Sequence, residues 1–146
     1  MIKTTITTLL LSAASLSAFA QMSPVGLWKT IDDETSKEKS LVRIADTGGV
    51  LSGKIEKITD PAKAANLCDK CSNERKDKPI QGMTILRGIK PSSDAGVWEG
   101  GDILDPNNGK LYKVRIKPVD GGKQLEVRGF MGISLLGRTQ TWIRVE

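Results

Sequence analysis

"VWEGGDILDPNNGKLYKVRIK", residues 97–117, decides the fold. In its second half Tyr112, Val114 and Ile116 alternate with Lys113, Arg115 and Lys117. Apolar side chains therefore fall on one face and cations on the other, the period of a half-buried strand. Val97 to Leu104 reads as a second strand. "DPNNGK" joins the two, and Asn108-Gly109 supplies the positive φ angles that tight hairpins need.

The same pattern runs outward in both directions. Upstream, strands are predicted at Val25 to Ile31, Leu41 to Asp46, Val50 to Ile58 and Gly82 to Lys90; downstream, at Lys123 to Phe130 and Arg138 to Val145. Gly-rich turns such as "TGG" and "DGG" separate them. One short helix is predicted over Pro61 to Leu67 ("PAKAANL"), since proline suits a first helical turn and alanine favours continuation. Antiparallel hairpins leave edges that must be paired or covered. A closed up-and-down barrel of about eight strands meets that need. An open sandwich or a Greek-key barrel is the alternative. Trp98, Tyr112, Val114, Ile116, Leu125 and Val127 are the predicted interior residues.

The chain starts with Lys3, an apolar run from Ile6 to Leu16 and the small-x-small triplet Ala18 to Ala20. These features predict a secretory signal peptide over residues 1–20, and a single barrel domain over 21–146. The apolar run is short for a membrane anchor. Removing 20 of 146 residues leaves 126; with Lys3 gone, 21 basic side chains face 17 acidic ones, for a net charge of +4. The charges are interspersed, which argues against a nucleic-acid binder. The expected location is exported, periplasmic or secreted, with no membrane span after cleavage.

Both cysteines fall in "LCDKCSNERKDKPI", residues 67–80. A structural zinc site wants four Cys or His ligands, and this chain has two Cys and no His. A redox-active pair sits at a helix N-terminus beside a βαβ unit, whereas here the helical signal precedes Cys68 and its surroundings are strands. In an oxidising compartment a structural Cys68–Cys71 disulfide is favoured. It is expected to stiffen its own turn and little else, within a solvated connection of nearly balanced charge.

Without His, Ser-His and Cys-His nucleophile systems are excluded. "EGGDILDP" lacks the Lys-Ser/Thr of a phosphate loop. A calcium loop counted from Asp105 has its glycine at the fifth position and Ile116 at the twelfth, so that spacing fails too. Glu99 and Asp102 would point to opposite faces of a regular strand unless Gly100-Gly101 bulges. No metal site, cofactor or catalytic residue is expected, and the chain is read as non-enzymatic.

The chain ends carry a further hint. "GLW", Gly26 to Trp28, is similar to the Gly-x-Trp on the first strand of lipocalin-like barrels, where a late arginine packs across the tryptophan. Arg144 is the expected partner, with Arg138 second. Beyond this, "CDKC…RKDKPIQGMTIL", "VWEGGDILDPNNGKLY" and "LEVRGFMGISLLGRTQTWIRV" together resemble a family of exported bacterial proteins, domain of unknown function 2147 (DUF2147). The resemblance covers nearly the whole mature chain and implies a lipocalin-like barrel. It implies no established activity and supplies no catalytic residues.

Two functions follow as expectations. The first is a non-enzymatic module holding a small apolar or amphipathic, lipid-like ligand inside the barrel. The second is an envelope interaction protein without a ligand cavity. It would act through the basic stripe Lys113, Arg115 and Lys117 and the apolar segment Phe130 to Leu136. An enzyme, thiol-redox or carboxylate-based, ranks behind both. Protein recovered from the host's envelope is expected to begin at Gln21. An intact mass that includes Met1 to Ala20 contradicts the leader assignment.

Overall fold

The structure is a computed structural model that describes residues 22–133 and 136–146. The predicted leader and Leu135 of the apolar segment lie outside the described residues. Eight antiparallel strands are joined in sequence order and close on themselves. They are β1 (Gly26–Ile31), β2 (Glu38–Thr47), β3 (Val50–Ile58), β4 (Thr84–Pro91), β5 (Trp98–Asp105), β6 (Lys110–Val119), β7 (Gln124–Phe130) and β8 (Arg138–Arg144). Every strand pairs with its chain neighbours, and β8 returns to β1. The barrel is thus the up-and-down form. No helix among the described residues is long and apolar enough to cross a membrane.

The alternation in β6 is realised as written. Val114 and Ile116 are buried, whereas Lys113 and Lys117 are not. Departures from strict alternation are bulges. Lys54 pairs with Thr84 but Gly53 with Leu86, so β4 carries an extra residue there, and both Ile85 and Leu86 are buried. Gly53 is required at this point: a Cβ there would lie 2.6 Å from Leu86 Cδ1, inside contact distance.

Pro61 to Leu67 does not form the predicted helix. It makes successive turns, with Lys63 N donating to Asp60 O at 3.0 Å and Asn66 N to Lys63 O at 3.0 Å. Seven residues are too few for propensity alone to pay the nucleation cost of a helix. The segment buries little, since Asp60 to Lys63 and Ala65 to Leu67 are exposed. Tertiary packing therefore adds nothing to hold a helix.

Strict up-and-down order divides the barrel into two ends. The β2–β3, β4–β5 and β6–β7 turns gather at one end, together with Met22 and Glu146, the described chain ends. That end is packed solid: Trp28, Ile44, Leu51, Ile89, Ile116 and Leu125 are fully or almost fully buried. Its seam is the shortest in the barrel, with Trp28 opposite Arg144 and Lys29 opposite Ile143. Side chains reinforce it. The Arg144 guanidinium carbon sits 4.2 Å from the centre of the Trp28 ring. Arg144 Nε donates to Gly122 O at 2.6 Å, Nη1 to Val25 O at 2.9 Å, and Nη2 to Ser23 O. Trp28 Nε1 donates to Pro24 O at 2.8 Å. Gly26, at φ +141°, leaves the room this needs, because a Cβ there would lie 2.3 Å from Glu146 O.

One side chain thus ties the segment before β1, the β6–β7 turn and the end of β8 to the first indole. Charged hydrogen bonds contribute about 1.5–3 kcal/mol each, and the cation over the ring about 0.5–2 kcal/mol. Water replaces part of this on truncation. Arg144→Met is expected to lower unfolding free energy by about 2–4 kcal/mol. An unchanged urea midpoint would remove the bracing role.

Candidate functional site

The opposite end of the barrel is hollow. A cavity of about 360 Å3 opens there, within the range of small-molecule sites. Its lower wall is apolar, built by Ile55, Ile85, Ile103, Leu104, Val127 and Trp142. Its upper wall and rim are polar: Thr30, Ser40, Lys39, Asp105, Asn108, Tyr112, Arg138 and Gln140. Gly129 also lines it, at a place where a side chain would otherwise project inward. An added Cβ would make ordinary contacts with Tyr112 Cβ at 3.6 Å and Ile103 Cγ2 at 3.7 Å.

The predicted interior residues separate into tiers. Tyr112 and Val127 line the cavity. Val114, Ile116 and Leu125 lie fully buried in the packed core. Trp98 is partly buried and packs against that core. Three signals carry the rest of the site. On β8, Arg138, Gln140, Trp142 and Arg144 share the inward face through period two. Thr30 and Ser40 sit opposite one another on β1 and β2, their hydroxyls 2.8 Å apart and buried. The β1–β2 loop contributes Asp33. Its Oδ2 accepts from Gln140 Nε2 at 2.9 Å and is ion-paired with Arg138 Nη2 at 2.7 Å.

That loop is ordered by the preceding residue. Asp32 Oδ1 accepts from Glu34 N at 3.0 Å, Thr35 N at 2.8 Å and Thr35 Oγ1 at 3.0 Å. The Thr35 backbone N–H, then its hydroxyl, hold the Asp32 carboxyl below its ordinary pKa. These bonds shape the loop, and that shape carries Asp33 to β8.

Cys68 and Cys71 are disulfide-bonded, with Cα atoms 5.3 Å apart. The bond is buried, and it does more than stiffen its own turn. Cys68 Sγ lies 3.6 Å from Pro106 O, a packing contact because a disulfide sulfur has no proton to donate. At Gly109, φ +72°, a Cβ would fall 1.8 Å from Lys70 O. The disulfide turn thus lies flush on the β5–β6 turn, which supplies Asp105 to Asn108 to the cavity rim. The connection is not wholly solvated either. Arg75 is only 7% exposed, and desolvation lowers its pKa. Glu74 pairs with Arg87 on β4 at 2.9 Å, and that hydrogen bond lowers the Glu74 pKa.

The other candidate groups are engaged or dispersed. A bulge at Gly100 places both Glu99 and Asp102 opposite outward residues, Arg115 and Lys113 respectively. Glu99 accepts from Ser92 Oγ at 2.8 Å and is ion-paired with Arg115 at 2.9 Å. Arg115 also pairs with Asp94 at 3.2 Å, so its charge in the basic stripe is neutralised. Met131, Ile133 and Leu136 of the β7–β8 connection are exposed beside the cavity mouth.

With this geometry in place, comparisons give the lineage. The family described as "Uncharacterized protein conserved in bacteria (DUF2147)" matches residues 26–144. The chain belongs to that family. A solved structure, "Protein HP1028 from the human pathogen Helicobacter pylori belongs to the lipocalin family", is similar to it with a TM-score of 0.71 and 22% sequence identity. The likeness covers 84% of this chain and 82% of the other. At that identity it speaks for the fold, and this DUF2147 barrel is lipocalin-like. No curated protein matches the chain.

The buttress of the rim is testable. Replacing Cys68 and Cys71 together by Ser is expected to cost about 2 kcal/mol, the loop-closure value for so short a loop. The barrel should persist, with an unchanged far-ultraviolet spectrum. Equal stability of the oxidised protein and the double variant contradicts the buttressing role.

Proposed function

We propose that this DUF2147 protein is an exported, non-enzymatic barrel that holds a small amphipathic ligand in its open half. The observation that carries the reading is the two-tier cavity, apolar below and polar at the rim. An apolar body against Ile103, Val127 and Trp142 would lose water contact. Burial contributes about 25 cal/mol per Å2 of apolar surface. A polar group at the mouth would keep its hydrogen bonds through Thr30, Ser40, Tyr112 or Gln140. The packed lower half acts as a floor, so the ligand is small.

The first test is native mass. Protein purified gently from its own envelope is expected to carry a fixed extra mass that is lost on denaturation. Gly129→Leu fills the cavity without forcing a strained backbone, since Gly129 is not at positive φ. It should abolish the extra mass while keeping the fold. An adduct of the same mass on Gly129→Leu would place the ligand elsewhere.

A second reading is supported by the apolar lip. Met131 is 57%, Ile133 59% and Leu136 76% exposed, all next to the mouth. An envelope partner docking there would cover or open the cavity. Protein with a bare native mass that still binds an envelope partner, and loses it on Leu136→Asp, favours this surface role.

A further inference from the structure

The cavity mouth holds an arrangement that points to the ligand's chemistry. Two donors from adjacent inward positions of β8, Arg138 Nη2 and Gln140 Nε2, converge on one oxygen, Asp33 Oδ2, at 2.7 and 2.9 Å. The Gln140 amide is oriented from below, because Trp142 Nε1 donates to its Oε1 at 3.4 Å. Its NH2 group is thereby directed to the mouth. The carboxylate that satisfies this pair comes from the chain itself, on a loop shaped by Asp32.

We infer that Arg138 and Gln140 form a carboxylate-recognition pair for the ligand, and that Asp33 occupies it as an internal stand-in which an anionic amphiphile displaces. The inference rests on the cavity reading above and names its ligand class.

Three features make the exchange favourable. Asp33 offers a single oxygen to both donors, whereas a ligand carboxylate rising from the cavity can present both oxygens to the guanidinium fork. The contact that must be broken is weak, since the Arg138 side chain is 72% exposed and that of Asp33 43% exposed, and exposed ion pairs contribute little. The incoming molecule also buries its apolar body, which Asp33 lacks. Lys39 lines the cavity and adds a second cation there, one whose charge also acts on Asp32. Asp105, the other rim carboxylate, stands on β5, across the barrel from β8.

The test compares decanoate with decanol, two probes of equal chain length, on the delipidated mature protein. Binding is followed through tryptophan emission, with Trp142→Phe identifying the cavity signal. Decanoate is expected to bind more tightly than decanol. Asp33→Ala should tighten decanoate by about fivefold, the scale of one exposed ion pair, and change decanol less than about twofold. Arg138→Gln should erase the preference, and Asp33→Ala added to Arg138→Gln should then have no effect. Equal binding of the two probes overturns the recognition pair while the cavity reading stands. Failure of both probes to reach Trp142 overturns the cavity reading and this inference with it. A decanoate affinity unmoved by Asp33→Ala overturns the stand-in role.

Discussion

The barrel depends on its shortest seam. Seven of the eight strand junctions join neighbours in the chain, whose pairing is favoured by proximity. The eighth, β1 with β8, joins the two ends of the domain and bears the largest loop-closure cost. It has only two paired positions, and one of them is the Trp28–Arg144 pair. Arg144 compensates by holding three carbonyls from two separate segments, the stretch before β1 and the β6–β7 turn, and by covering the indole. Gly26 is the sequence consequence, since no side chain fits between Arg144 and Glu146 there. Closing the seam at one end lets that end be filled solid, and the solid end lets the other stay hollow.

The hollow end then needs support that a core does not supply. It comes from loops locked onto one another. The disulfide turn rests on Gly109 and Pro106, Glu74 fastens the same connection to β4, and Asp32 shapes the β1–β2 loop. These locks are ion pairs, hydrogen bonds and the close fit of a cross-linked turn, which suits a region where apolar surface has been left unfilled. Packed and hollow halves thus use different physics within one sheet.

Much of this was legible in the residues. The β6 alternation, the eight strands and their closure follow from period two and from the turn glycines. The Gly26-x-Trp28 stretch and a late arginine point to the sealed end. The disulfide follows from an expected oxidising compartment and a missing ligand set, although its contact with Gly109 does not, because that contact joins residues 39 positions apart across two turns. The Pro61–Leu67 helix failed because alanine propensity without a buried face is insufficient. The cavity was only half visible. Tyr112 and Val127 belong to it, but Arg138, Gln140, Thr30 and Ser40 break the rule that inward strand positions are apolar. Polar residues at inward positions mark the stretch of strand that a core does not fill, and period two alone gives no reason to treat them so.

The up-and-down path also settles how the molecule can be held. Met22 and Glu146 emerge beside the sealed floor, on the far side of the barrel from Arg138 and Gln140. A tether, fusion partner or solid support joined at Met22 or Glu146 would leave the mouth facing away from the attachment. The barrel is therefore suited to immobilisation through Met22 or Glu146, with Trp142 in the cavity wall as its optical reporter.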